Sequence, residues 1–257
     1  MIDLHCHLLP GLDDGATTIE DSVAMAEVAV RAGTRVVVAT PHVSFDYPND
    51  APRIRTAAQV LNARLHAMEI ALDVRVGAEI ALARLLDLDT DTIASLTLDG
   101  TRWLLVEPPF TVVVAGIDTF LEQIQGLGYQ ILIAHPERCP AFHRDRSLLE
   151  RVVDAGALTS ITAASITGGF GTVVQRFAID LLRTGLVHNV ASDAHDLAKR
   201  PPILSDALIS SEVAPLAIWL TESVPEAILN GRVVPPRPTT TDNTRPRCGR
   251  WLRWCAR

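Results

Sequence analysis

Val36-Val-Val-Ala-Thr-Pro-His42 is a β-branched apolar run that ends in a histidine. Such a run suits a buried strand, and the side chain at its far end is a good metal ligand. The same arrangement recurs on both sides. Upstream, the first segment carries His5 and His7. Downstream come Val74-Arg-Val-Gly-Ala-Glu79, Trp103-Leu-Leu-Val-Glu107, Ile131-Leu-Ile-Ala-His135 and Val190-Ala-Ser-Asp193, the last followed by His195. His5, His42 and Glu79 are 37 residues apart in turn, and Glu79, Glu107 and His135 are 28 apart. These are strand-plus-helix lengths. The 58 residues from His135 to Asp193 make two units, so one strand without a ligand is expected between them, and residues 157–163 (ALTSITA) supply it.

Seven strands alternating with helices predict a parallel sheet, and ligands converging from six of them favour a closed barrel, in which the carboxyl ends of all strands meet at one face. The pairs His5/His7 and Asp193/His195 place both members on one side of a strand. Helical patterns fall where crossovers are needed: Thr18 as cap of a helix stopping at Gly33, then Pro52 to Ala71, Ile117 to Leu127, Ser147 to Ala155, Val173 to Leu186 and Ile203 to Ser210.

With 257 residues, 48% of them hydrophobic, the chain can bury one sizeable core. No apolar run approaches the ~18 residues of a membrane span, and the amino terminus lacks the basic-then-apolar pattern of a signal peptide, so the cytoplasm is the expected compartment. Net charge is −7, but residues 232–257 hold seven Arg and one Asp, leaving an acidic body that argues against nucleic-acid binding. The expected division is a catalytic domain over 1–231 and a Pro/Thr-rich linker with a basic tail over 232–257. That tail reads as a flexible extension, with an anionic-membrane or partner contact as the alternative.

Cys6, Cys139, Cys248 and Cys255 form no CxxC pair and read as reduced thiols. A cysteine-nucleophile phosphatase would need Arg six positions after Cys139, where Asp145 stands. His66, His143 and His188 fall in a helix, a polar loop and the entry end of the last strand, and are not expected to be ligands.

Imidazoles with carboxylates and no clustered thiolates suit Mn²⁺, Fe or Zn²⁺. The turn Leu12-Asp13-Asp14-Gly15 adds two carboxylates after His7, one as a ligand and the other to hold the loop or cap the next helix. If three divalent ions bind against four carboxylates, the site carries about +2, which a phosphate dianion neutralises. Such ions lower the pKa of bound water and polarise phosphoryl oxygens. Arg138 and Arg200 follow ligand strands closely, and a guanidinium can bind two phosphate oxygens at once.

His5-Cys-His7, Asp13-Asp14-Gly, Thr40-Pro-His42, Gly77-Ala-Glu79, Glu107, Ala134-His135-Pro-Glu-Arg138 and Ala191-Ser-Asp193-Ala-His195 with Arg200-Pro-Pro resemble, over about residues 1–230, the PHP (polymerase and histidinol phosphatase) superfamily. The branch most similar is the manganese-dependent protein-tyrosine phosphatases of bacterial capsule and exopolysaccharide loci. The resemblance implies a distorted seven-stranded (β/α)7 TIM-like barrel and a trinuclear site. His5, His7, Glu79 and Asp193 would hold one ion, Glu79, Glu107 and His135 a second, and Asp14, His42 and His195 a third, with Arg138 and Arg200 on the phosphate. It implies a phosphotyrosine-bearing autokinase as substrate. Two other functions fit the same residues: a small-molecule phosphatase such as one for histidinol phosphate, and a non-catalytic metal-stabilised domain that binds phosphorylated partners.

Overall fold

Nine short parallel strands carry the ligand segments in the computed structural model, which describes residues 1–112, 116–210 and 212–239. β1 (Ile2–Cys6), β2 (Val36–Ala39) and β4 (Asp73–Val76) form one sheet in the order β1-β2-β4. β3 (His42–Val43), β5 (Glu79–Ala81), β6 (Trp103–Glu107), β7 (Gln130–Ala134), β8 (Leu158–Thr162) and β9 (Asn189–Ala191) form the other, in that order. Every strand pair is parallel. The two sheets also meet at a parallel bridge between Cys6 and Ala194. The protein is thus a mixed α/β fold of parallel sheets.

The expected strands 36–42 and 74–79 do not run unbroken to their ligands. Each stops and restarts, so that His42 and Glu79 open β3 and β5 where the sequence pattern put them at the end of a longer strand. Pro41 has no N–H for a ladder. At Gly77 a Cβ would come within 2.8 Å of Leu98 and 3.0 Å of Val38, so the backbone passes where no side chain fits. Backbone bonds still cross the breaks, Thr40 N donating to Cys6 O (3.0 Å) and Glu79 N to Pro41 O (3.2 Å). The bend transfers pairing from one sheet to the other and sets His42 beside Glu79 in register.

Strands packed on both faces need near-continuous apolar sequence, and Val37, Val38, Leu104, Leu105, Ile131, Leu132, Ile133, Ile161 and Val190 are all buried. The helix Ile19–Arg31 begins at Thr18 as predicted: the Thr18 side chain accepts from Asp21 N (3.1 Å), and Asp21 accepts from Thr18 N (2.9 Å). A cap of this kind contributes about 1 kcal/mol. Gly33, at φ +90°, ends it. The other predicted helices lie at Ala51–Ala67, Ile117–Gly126, Arg146–Asp154, Thr172–Arg183 and Ser205–Leu208, mostly shorter at their carboxyl ends than the pattern suggested. Asp50 caps the second by accepting from Arg53 N, with Pro52 in its first turn.

Pro235 and Arg237 are tied to the body, Trp219 Nε1 donating to Pro235 O (3.0 Å) and Arg237 to Leu182 O (2.7 Å). The basic remainder of the tail falls outside the described residues. No helix among the described residues is long and apolar enough to cross a membrane.

Candidate metal centre

His5 and His7 leave β1 on the same side, and their Nε2 atoms face each other at 3.1 Å. Because β1 neighbours β2 on one side and the Asp193 turn on the other, both imidazoles point at the same space as Asp193 and Glu79. Backbone bonds fix this closure: Asp193 N donates to His5 O (2.8 Å) and His7 N to Ala194 O (2.9 Å). Glu79 Oε2 then lies 3.2 Å from His5 Nε2, 3.3 Å from His7 Nε2 and 3.0 Å from His42 Nδ1. Its other oxygen is 2.8 Å from His135 Nε2, which stands 3.7 Å from Glu107. Asp14 reaches His42 Nε2 at 3.5 Å and His195 Nε2 at 3.3 Å.

All nine side chains proposed as ligands from the sequence therefore meet in one place. They form four overlapping clusters whose ligand atoms lie within 4.8 Å of one another: His7/Asp14/His42/His195, His5/His7/Asp193, His5/Glu79/His135 and His42/Glu79/Glu107. The partition implied by the resemblance differs in detail, since His7 also sits with the Asp14 cluster and His42 with Glu79 and Glu107. Glu79 is shared between clusters in both.

The donor set fits divalent cations. Glu79 Oε2, Asp193 Oδ1 and His195 Nε2 are buried and make no hydrogen bond. Leaving a buried charge or polar atom unpaired is costly, whereas lone pairs aimed at a common centre are what a cation requires.

The electrostatics follow from crowding. Burial opposes ionisation of Glu79 and Asp193, yet His5 and its neighbouring imidazoles hold both carboxyls well below the ordinary range. Glu107 goes the other way, pushed up to about 8 by burial and by the charge of Glu79. Burial and the charge of Arg138 pull His135 down to about 4. Burial likewise lowers His42 and His195. For His7 burial is outweighed by Asp13, Asp193 and Glu79, and its pKa is raised well above normal.

Of the two carboxylates in the Asp-Asp-Gly turn, Asp13 holds the loop. Its Oδ2 lies 2.7 Å from His7 Nδ1 and accepts from His42 N (2.9 Å), while Oδ1 accepts from Gly15 N (3.0 Å). It orients the imidazole from behind, as a carboxylate does for a metal-bound histidine. Asn49 ties the same loops by donating to Leu12 O and His42 O, both at 2.8 Å.

Arg138 and Arg200 both reach this face, and both pair with Asp193 Oδ2, Arg200 Nη2 at 2.5 Å. Arg200 Nε is buried without an acceptor. Glu137, between His135 and Arg138, is fully buried; it accepts from Thr162 N (2.9 Å) and Ser165 Oγ (2.6 Å), anchoring the turn to the end of β8. Asp3, buried beneath the site, accepts from His5 N (3.3 Å) and Ser192 N (3.0 Å) and ties the first strand to the last. The sequence pattern gave neither carboxylate a role; each stands within two residues of a proposed ligand, the one signal that could have raised it.

The remaining histidines lie elsewhere. His143 Nε2 donates to Glu137 O (2.7 Å), His188 Nδ1 accepts from Thr159 N (3.2 Å), and His66 belongs to the helix Ala51–Ala67. Cys139 is buried with its thiol pushed upward by burial, 3.6 Å from Pro109 O.

A parallel α/β frame, overlapping clusters of imidazoles and carboxylates fit for metal ions and two adjoining arginines together define the class of metal-dependent hydrolases. Within it, the chain belongs to the family described as capsular polysaccharide synthesis, CpsB/CapC, whose model matches residues 1–212. It is 38% identical over 245 residues to the tyrosine-protein phosphatase YwqE of Bacillus subtilis (strain 168), covering 93% of this chain and 96% of that one. It is 32% identical to the tyrosine-protein phosphatase CpsB of Streptococcus pneumoniae, covering 80% of this chain and 88% of the relative. In structure it matches, with a TM-score of 0.82 and 34% identity over 93% of this chain and 99% of the other, a structure from work on YwqE and CpsB, there called unique metal-dependent tyrosine phosphatases.

Proposed function

We propose that the chain is a metal-dependent protein-tyrosine phosphatase, acting in the cytoplasm on the phosphotyrosines of an autokinase of capsule or exopolysaccharide synthesis. The observation that carries this reading is the convergence of nine candidate ligands, with Glu79 Oε2, Asp193 Oδ1 and His195 Nε2 buried and without hydrogen-bond partners, beside two guanidiniums. Family membership and the names of the relatives support the same activity. In this reading the two sheets, joined at Cys6 and Ala194, are one distorted seven-stranded barrel, with β2/β3 and β4/β5 each counting as one bent strand.

We assign three divalent ions, Mn²⁺ before Fe or Zn²⁺, to His5, His7, Glu79 and Asp193; to Glu79, Glu107 and His135; and to Asp14, His42 and His195. When bound, they supply the Lewis acidity that activates water and neutralises phosphoryl oxygens. The chain's own residues do the rest. Glu79 bridges two clusters and fixes their separation. Asp13 holds His7 in one orientation, and Glu137 holds the His135–Arg138 turn against β8. Arg138 and Arg200, now on Asp193, are placed to donate to the oxygens of a phosphate that enters beside it. No protein nucleophile is needed, since Cys139 is a buried, protonated thiol.

Kinetics with a phosphotyrosine peptide beside histidinol phosphate, with and without added Mn²⁺ and chelator, test this reading. Turnover of the peptide that is lost on chelation is expected. Preference for histidinol phosphate would move the chain to the small-molecule branch, and tight phosphate binding without turnover to the regulatory one.

A further inference from the structure

Six Phe and two Tyr make up the chain's phenyl rings, and three of these eight residues border the candidate centre. Tyr47 stacks on His42 with centroids 5.7 Å apart and 14° between the rings. Phe110 stacks on His135 at 5.6 Å and 21°. Phe170 lies under both guanidiniums, with Arg138 4.7 Å and Arg200 5.8 Å from its centroid. Arg138 is also 5.5 Å from the Phe110 ring. Among the described residues, Phe110 is thus the one phenyl ring that adjoins both a proposed metal ligand and a proposed phosphate-binding arginine.

Its exposure is the second observation. Phe142 is wholly buried, whereas Phe110 leaves 52% of its surface open at the lip of a polar site. An exposed ring at that position adds little to the core and presents apolar, polarisable surface to whatever enters. Of the two rings beside Arg138, Phe110 is the exposed one, so an ester substituent that leaves on that side of a phosphoryl group held by Arg138 and Arg200 passes over it. A phenyl ring leaving there meets another at stacking range; an alkyl chain has no face to offer. Phe170 differs because it is half-buried and both guanidiniums lie over it, one of them closer than Arg138 lies to Phe110, which suits a residue that sets the arginines and does not touch the leaving group.

The geometry points to Phe110 as the residue that selects an aromatic phosphate ester, with Phe170 as the positioning residue of the two arginines. The inference rests on the phosphatase reading above and adds to it the element that tells an aryl ester from an alkyl one. Phe110 separates substrates from one another, whereas Phe170 strengthens the hold on phosphate for all of them.

The test is the binding of phenylphosphonate, methylphosphonate and inorganic phosphate, measured by calorimetry on the metal-loaded full chain. It needs no turnover, so it stays separate from the activity assay that tests the phosphatase reading itself. The wild-type protein should prefer phenylphosphonate to methylphosphonate. Phe110→Ala should remove that preference, on the order of tenfold, weakening methylphosphonate and phosphate far less than phenylphosphonate, and Phe110→Leu, which keeps bulk without a ring, should lose most of it. Phe170→Leu should weaken all three ligands together, with Phe170→Tyr restoring them. Equal weakening of both phosphonates by Phe110→Ala, a retained preference, or no preference in the wild-type protein overturns the assignment of Phe110; unchanged phosphate binding in Phe170→Leu overturns that of Phe170.

Discussion

The candidate centre has a closed half and an open half. Glu79, His5, His135 and Asp193 have side chains at most 2% exposed, whereas Asp14 is 50% exposed and His42 and Glu107 are each 16% exposed. The two halves use the same residue types, so the difference comes from position. The closed half stands on the junction of β1 with β9 and on the register of β3 with β5, and every group in it has lost its water. The open half, with Asp14 on the loop after β1, His42 at the start of β3 and Glu107 at the end of β6, keeps solvent on one side. A cation in the closed half replaces hydration that burial has already removed, and one in the open half competes with water for Asp14. The closed half should therefore hold its ions more tightly, and the open half should exchange first.

The largest effect should come from removing the residue that joins the clusters. Glu79→Ala should strip most of the metal and lower phosphatase turnover by roughly 10³-fold or more, since several kcal/mol of transition-state stabilisation go with the ions. Helical content should stay near wild type by circular dichroism, because Glu79 stands at a strand start outside the apolar core. Full metal occupancy with wild-type turnover would remove Glu79 from the ligand set.

Arg138→Ala should come next, with metals retained. Loss of charge-assisted hydrogen bonds to the reacting group costs about 2–4 kcal/mol, roughly 30- to 1,000-fold in rate. Metal analysis beside kinetics separates it from a ligand mutant, and a variant with unchanged kinetics would leave Arg138 as a partner of Asp193 alone. Asp13→Ala, which frees His7 Nδ1 and the His42 backbone N–H, should be milder still, about 10- to 100-fold in metal affinity. The loss should fall on the ions that His7 and His42 hold, one in each half; an unchanged affinity would leave Asp13 as a brace of the loop alone.

Much of this was legible in the chain because ligand positions are tied to local pattern. Apolar strand-like runs of four to six residues announce their ends, and unit lengths of 37 and 28 residues announce their recurrence. The Asp13/Asp14 pair was legible only as a pair, since which carboxylate faces inward depends on the fold of one turn. The breaks at Pro41 and Gly77 were not legible, because each is set by the transfer of pairing between sheets, a contact between distant segments. Nor were the left-handed conformations of His135 (φ 32°) and Asp193 (φ 50°). Such residues cost of order 1–3 kcal/mol each, and the cost is carried by backbone bonds to β8 and β1, far away in sequence. The rings of Phe110 and Phe170 carry no periodic signal at all.

Metal affinity should depend on pH in a direction set by the groups that hold protons before the ions arrive. Glu107, at about 8, and His7, raised above its normal range, are protonated at neutral pH in the metal-free protein. His135, His42 and His195 are lowered and already neutral. Ions must displace the first set and need not displace the second. Affinity should therefore rise with pH up to and through about 8, where Glu107 loses its proton, by up to about tenfold per unit for each proton released. Calorimetry in two buffers of different ionisation enthalpy counts those protons. A pH-independent affinity between 6 and 8 would show that Glu107 and His7 give up no proton on binding.

The smallest effect belongs to Cys139, which lies four residues beyond His135 yet outside both halves of the centre. Its side chain is buried, its thiol is pushed upward by burial, and Sγ lies 3.6 Å from Pro109 O. A protonated thiol is a poor nucleophile, and Asp145 stands where a cysteine-dependent phosphatase would need arginine. Cys139→Ser keeps a donor within reach of Pro109 O and should leave turnover per folded, metal-loaded molecule within about twofold, since only packing is altered. Chelators should abolish the activity of this variant and of the wild type alike. A folded and metal-loaded Cys139→Ser protein without activity, or a trapped phosphocysteine, would replace direct attack by water with covalent catalysis and would take the chemistry out of the metal cluster.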